Sequence, residues 1–169
     1  MKNELNPPAS KQNIEKLEHT IGAELPEEYI NFLMIHNGQN SDSEGLINVE
    51  ELLSIERIIQ EWKVWKELLD SGDFSGYESD PNKGIKNDWW NDKWIPITHD
   101  GGGNHYCIDL DPALGGSSGQ IIRMWHDSEE RELIAHSFKE WITKYINDLE
   151  KGQYVYSEDW GGIINKNDL

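Results

Sequence analysis

Apolar residues recur at helical spacing in four stretches of this chain and at strand spacing in a run of short segments between the third and the fourth. Ser10 caps a first helix whose Ile14, Leu17 and Ile21 share one stripe, and Gly22 ends it. LPEEYINFLMIHNG reads as a second helix with both end signals. Pro26 suits the first helical position, Glu27 and Glu28 complement the macrodipole, and Gly38 serves as the left-handed residue that stops it. Its buried face is Tyr29, Phe32, Leu33 and His36. Leu46 to Val49 is β-prone, and after Ser54 a third amphipathic run carries Ile55, Ile58, Ile59, Trp62, Trp65 and Leu69. From Asp70 to Asp88 small and polar residues prevail, with Phe74, Tyr77 and Ile85 the apolar exceptions, which predicts a long loop.

The middle of the chain reads as strands. Trp94 to Thr98, His105 to Leu110 and Gln120 to Trp125 are separated by DGGGN and PALGGSSG, so an antiparallel meander is expected, with a further short strand from Glu132 to Ala135. Pro96 cannot donate to a ladder and places its strand at an edge or a bulge. Ser137 and Glu140 form a capping box for the last helix, on which Phe138, Trp141, Ile142, Tyr145, Ile146 and Leu149 make the apolar face, and Gly152 ends it. The aromatic tail that follows either adds a strand at Tyr154 to Tyr156 or stays loose. Helices before and after a block of strands indicate an α+β fold, with helices packed on a mainly antiparallel β-sheet.

Composition narrows the classes of function. A chain of 169 residues suits one domain, and eight Trp and six Tyr offset a low apolar fraction of 36%. The formal charge of -17 opposes contact with nucleic acid or an anionic membrane and favours encounter with a basic protein. Cys107 has no second cysteine to pair with, and no stretch approaches the ~20 apolar residues of a membrane span. The start MKNELNPPAS has no apolar signal core, so a cytoplasmic location is expected.

Three stretches carry candidate chemistry. Alternation in HYCIDLD puts His105, Cys107, Asp109 and Asp111 on one strand face. A metal site there lacks a further Glu or His at fixed spacing, so a polar face or end meeting solvent is the better account of the pattern. The glycines of Asp100-Gly101-Gly102-Gly103-Asn104 offer backbone N–H groups to a phosphate, but no Lys-Ser/Thr and no helix follow, so a tight turn is the simpler account. Six histidines show no pairing with a Ser or Cys motif, and there is no G-x-S-x-G elbow. No catalytic residue, metal or cofactor is therefore expected. In Trp89-Trp90-Asn91-Asp92-Lys93-Trp94, aromatics beside charges suit an interface anchor or a core, with Trp94 inside and one of Trp89 and Trp90 more exposed.

Taken together, LPEEYINFLMIHNG, WIPITHDGGGNHYCIDLDP and IAHSFKEWITKYINDLEKGQY, in this order, resemble the SUKH superfamily, which includes the Smi/Knr-type fungal cell-wall regulators and many bacterial immunity proteins. Leu25, Pro26, Tyr29, Phe32, Leu33, Asn37 and Gly38 match its helical motif. Trp94, Pro96, Asp100, Gly101, Gly103, Asn104 and Asp109 match its central one, and Phe138 and Trp141 its last. The resemblance implies a single SUKH-like α+β domain over 10–155, preceded by an extended lead-in over 1–9 and followed by a tail over 156–169. It also implies a non-enzymatic role: an immunity protein that binds and neutralises a cognate toxin, a nuclease for instance, or alternatively a regulatory or scaffolding adaptor. With the charge, it points to a basic toxin protein as partner, met through Asp70, Asp73, Asp80, Asp88, Trp89, Trp90, Asp92, Asp100 and Asn104. The matched motif positions are expected to be mostly scaffold. Gly102 and the 70–88 segment have no counterpart in the family pattern and are candidates for setting partner choice.

Overall fold

Serine side-chain caps start three of the four α-helices in the computed structural model, which describes residues 5–169. Ser10 Oγ accepts from Asn13 N–H at the start of α1 (Lys11–Ile21), and Gly22 closes it at φ 62°. Helix α2 (Glu27–Leu33) is shorter than its pattern predicts. The chain leaves it at Met34, and the left-handed Gly38 turns the connection toward β1 (Glu51–Leu52) rather than capping the helix. The reason is tertiary: Asn37 Oδ1 accepts from Ile55 N–H at 2.8 Å, drawing this segment onto the start of α3 (Ile55–Ser71).

Leu46 to Val49 forms a turn and not a strand. Asn48 and Val49 both have positive φ, and the Ile47 and Glu50 backbones bridge across them. A β-branched residue in that region is costly, and the turn is held by Val49 N–H donating to the Ile163 carbonyl at 2.7 Å. Residues 70–88 also differ from a plain loop. Helix α3 uses the first two, and β2 (Asp80–Pro81) then adds a parallel strand to the main sheet. Asn82 Oδ1 accepts from Leu133 N–H, and Ile85 is buried in the core.

Next come β3 (Trp94–Pro96), β4 (Thr98–His99), β5 (His105–Asp109), β6 (Gln120–Met124) and β7 (Glu130–Ala135). The five-stranded sheet has the order β2-β7-β6-β5-β3, antiparallel except for the β2–β7 pair. Pro96 lies on its edge strand β3, where a missing N–H costs no ladder bond. The stretch Trp94 to Thr98 does not stay in one sheet, because β4 pairs with β1 instead. Helix α4 (Phe138–Glu150) begins with half of its capping box as predicted: Ser137 Oγ accepts from Glu140 N–H, but Glu140 Oε2 reaches one residue further and accepts from His136 N–H in place of Ser137 N–H. A hairpin of β8 (Tyr154–Ser157) and β9 (Gly162–Asn165) follows, then a short 3-10 turn over Lys166–Asp168, so the 155/156 division falls inside a strand.

Alternation along β5 decides which helix covers which face. His105 meets Trp65 of α3, while its neighbour Tyr106 meets Trp141 of α4, so the sheet lies between the two helices. Helix α1 packs on α3, and Tyr29 and Phe32 of α2 pack on Phe138 of α4. Of the matched motif residues, Leu25, Tyr29, Leu33, Gly38, Trp94, Pro96, Asn104, Asp109, Phe138 and Trp141 are buried, whereas Asp100 and Gly101 are exposed. Pro26 and Phe32 are half-buried.

Candidate protein-binding surface

The β5 face, with its histidine, thiol and carboxylate, is closed to solvent. His105, Cys107 and Asp109 are buried instead of forming an open polar face, with His105 against Trp65 of α3. His105 Nδ1 donates to the Thr98 carbonyl at 2.6 Å, and Nε2 accepts from the Trp65 indole at 3.1 Å. Both ring nitrogens are therefore engaged in the neutral form, and burial, with the Thr98 bond only partly opposing it, lowers the pKa to about 4. Burial raises the Cys107 thiol far above its ordinary range, leaving a small inert side chain. Burial also raises Asp109, whose carboxylate accepts from Gln120 Nε2 at 2.8 Å and from Asp111 N–H at 2.9 Å. Asp111 turns away to Lys86 and Asn91. Among the described residues no group of three or more His, Cys, Asp or Glu could hold a metal ion.

His105 gives the fold a pH dependence whose sign is fixed. Its folded pKa of about 4 lies below the ordinary 6.5, so between these values the unfolded chain binds the extra proton. Its contribution is complete above pH 6.5 and falls by about 3 kcal/mol as the pH drops toward 4. Urea titrations across this range are expected to show that loss in the wild type and a flatter profile in His105→Gln. Equal slopes would remove His105 as the cause.

The DGGGN turn is a self-contained knot. Asp100 accepts from Gly102 N–H at 2.7 Å, Asn104 N–H at 3.0 Å and Asn104 Nδ2 at 2.6 Å. Burial opposes the charge of Asp100, but these bonds outweigh it and hold the carboxyl below its usual range. Asn104 is buried, and its Oδ1 accepts from His126 N–H. Its side chain braces the turn and is not free for a partner, which corrects its place among the interface candidates. The N–H groups of Gly102 and Asn104 point at Asp100, so a phosphate has no cradle there.

Trp90 is corrected as well. It is 2% exposed and stacks on Trp65 with ring centroids 6.2 Å apart, so no partner reaches it. Trp89 is the more accessible of the two. Its ring lies 5.1 Å from that of exposed Tyr77 and 5.1 Å from the Arg131 guanidinium. Arg131 also donates to the Trp89 carbonyl at 2.6 Å. No local pattern singles out Arg131, a buried cation with no ion pair among the described residues, whose pKa burial lowers to about 10. Tyr77 is visible in the sequence only as an apolar residue in a polar stretch.

The carboxylates differ in freedom. Asp73 and Asp80 are exposed, and the β2–β7 pairing sets Asp80 beside Glu130. Asp70 is exposed but bonded to Lys66, while half-buried Asp88 accepts from Asn91 at 2.7 Å. Half-buried Asp92 contributes its carbonyl to Trp62 Nε1. The structure thus brings together Tyr77, Trp89, Asp80 and Glu130 along the β2–β7 edge, an aromatic pair with acidic neighbours. It leaves Asp100 and Asn104 in a separate turn.

The fold and this arrangement can be set beside known proteins. The family model described as SMI1 / KNR4 family (SUKH-1) matches residues 8–144. The chain belongs to the SMI1/KNR4 family. A "Cell wall biosynthesis/cell cycle regulator smi1" of Schizosaccharomyces pombe is 27% identical over 89% of this chain and 33% of its own length. A "Glucan synthesis regulatory protein" of Neurospora crassa is 26% identical over 87% of this chain and 34% of its own. The "Cell wall assembly regulator SMI1" of Saccharomyces cerevisiae is 22% identical over 92% and 38%. The SMI1/KNR4 chain described here spans about a third of the length of these relatives. They are named as regulators, not enzymes. No helix among the described residues is long and apolar enough to cross a membrane.

Proposed function

We propose that this domain acts by binding another protein, as a regulatory adaptor of the kind named for its fungal relatives, and not by catalysis. The observation that carries the reading is the family match together with regulators as its similar proteins. The β5 groups agree with it, since each nucleophile, base or carboxylate that first suggested chemistry is buried or committed to an internal bond. The partner is a basic protein, and the Tyr77–Trp89 pair with Asp80 and Glu130 is the face that meets it. The -17 charge supplies long-range attraction and the aromatics supply contact area.

The test is affinity capture from source cells with the full chain as bait, followed by binding kinetics with the purified captured protein. Asp80→Lys with Glu130→Lys is expected to slow association, and rising salt is expected to do the same to the wild type. An association rate indifferent to both would overturn the electrostatic half of the reading. Failure to capture any protein would overturn the adaptor role.

The strong acidity also favours a second reading, an immunity protein that covers the basic cleft of a toxin such as a nuclease. Co-expression with a toxin domain encoded beside the gene separates the two. Restored growth and co-purification mark immunity, and their absence leaves the adaptor.

A further inference from the structure

Arg131 lies in β7 with its side chain fully buried, and no carboxylate among the described residues pairs with it. In a chain with 32 acidic side chains, a buried guanidinium that meets none of them is costly. Its partners are main-chain carbonyls. Nη1 donates to those of Ser128 at 2.7 Å and Glu130 at 2.6 Å, Nη2 donates to that of Trp89 at 2.6 Å, and Nε has no partner. The rings of Trp89 and Trp94 lie 5.1 and 5.9 Å from the guanidinium carbon.

These bonds join two distant parts of the chain at the Tyr77–Trp89 edge. Ser128 and Glu130 belong to the β6–β7 turn and the start of β7, where Glu130 pairs with Asp80. Trp89 belongs to an irregular segment 42 residues before Arg131, and its ring carries that of Tyr77. Among the described residues no other hydrogen bond reaches the Trp89 main chain. Its neighbour Trp90 is anchored in the core by the stack on Trp65, so the segment keeps its place without Arg131 while the orientation of Trp89 depends on it.

Stability does not account for the arginine. Burial lowers its pKa from the ordinary 12.5 to about 10, so the charged form is favoured less in the fold than in the unfolded chain, and at neutral pH the charge opposes folding. Ser128 and Trp89 are half-buried and Glu130 is exposed, which gives these carbonyls access to water as an alternative donor.

We infer that Arg131 is the positioning residue of this edge: its guanidinium fork fixes the Trp89 ring, and through it Tyr77, relative to the β2–β7 pair, so that both aromatics are pre-organised for a protein partner. The inference rests on the reading of the edge as a protein-binding surface and names what sets its shape.

Arg131→Met removes the fork and keeps an unbranched side chain suited to a buried site. With fluorotryptophan incorporated, the fluorine signal of Trp89, assigned by its loss in Trp89→Phe, is expected to move toward that of a solvent-exposed indole in Arg131→Met, while those of Trp62, Trp65 and Trp141 stay. The urea midpoint is expected to hold or rise. Dissociation from the captured partner is expected to quicken at least roughly tenfold, although the variant is one unit more negative, which by itself favours a basic partner. Arg131→Lys keeps the charge without the planar fork and is expected to restore neither the signal nor the dissociation rate.

An unmoved Trp89 signal in Arg131→Met overturns the inference. A urea midpoint that falls in step with the signal would make Arg131 a stabilising residue only and overturn it, as would full restoration by Arg131→Lys, which assigns the effect to charge. A moved signal with unchanged dissociation would separate Trp89 from recognition and overturn it as well. If no partner is captured the adaptor reading fails, and the fluorine signal and the urea midpoint still decide whether Arg131 fixes Trp89, so the two readings fail separately.

Discussion

Arg123→Met is expected to lower stability by about 3–5 kcal/mol at neutral pH, because it strands a buried carboxylate. Arg123 Nη1 donates to Glu50 Oε1 at 2.7 Å, and the two side chains are 7% and 6% exposed. Thr98 Oγ1 donates to the other Glu50 oxygen at 2.6 Å, and the guanidinium lies between the rings of Tyr106 and Trp125, 4.6 and 4.2 Å from their centroids. Burial already raises the Glu50 pKa, with Arg123 and Thr98 opposing the rise. Losing Arg123 raises it further, so folding then favours the protonated acid. The unfolded chain gives up that proton near 4.5, and the deficit therefore grows as the pH rises above that value and shrinks below it.

The double variant Arg123→Met with Glu50→Gln is expected to recover most of the loss, since an amide keeps an acceptor for Thr98 without the uncompensated charge. Denaturant titrations of the wild type and the two variants at pH 4 and 7 check this. A single-variant cost below about 1 kcal/mol at pH 7 would show that the pair is solvated and not buried.

The second large effect concerns Gly38. Its φ of 64° disfavours any side chain, and a Cβ placed there would lie 2.4 Å from the Leu53 carbonyl oxygen and 2.6 Å from Ser54 N. Those atoms are backbone at the entry to α3 and cannot rotate aside. Gly38→Ala is expected to cost on the order of 3 kcal/mol or to prevent folding, through strain plus displacement of the chain before Ile55. Gly101 separates these causes, because its φ is 85° but a Cβ there meets nothing within 4 Å. Gly101→Ala is expected to cost about 1 kcal/mol, from conformation alone. Thermal melts showing equal costs at the two positions would mean that the close approach at Gly38 relaxes freely.

The corrections have a common origin. The second helix carried every local signal to run from Pro26 to Gly38, yet Asn37 bonds to α3 and the helix stops at Leu33. Leu46 to Val49 had strand propensity, but contact with Ile163 holds it as a turn. The 70–88 segment, nearly all polar, gained a strand because β7 offered a free edge beside Asp80 and Pro81. In each case a partner far along the chain outweighed a local preference worth only tenths of a kcal/mol per residue.

The candidate surface was half legible for the same reason. Asp80 and Trp89 were identifiable as a charge and an aromatic in a polar stretch, but their grouping with Tyr77 and Glu130 depends on the β2–β7 pairing. Trp90 and Trp89 are indistinguishable in a Trp-Trp pair, and only the stack on Trp65 sends one of them inside.

By itself the sequence determined the caps at Ser10 and Ser137, the α+β class and the meander, and it confined Pro96 to an edge or a bulge, because these follow from hydrogen bonds and periodicities within a few residues. Tertiary structure alone decided that the polar face of β5 is buried, that Glu50 meets Arg123 across 73 residues, and that Arg131 reaches Trp89 across 42. Burial is a property of which elements cover one another, and no local pattern encodes it.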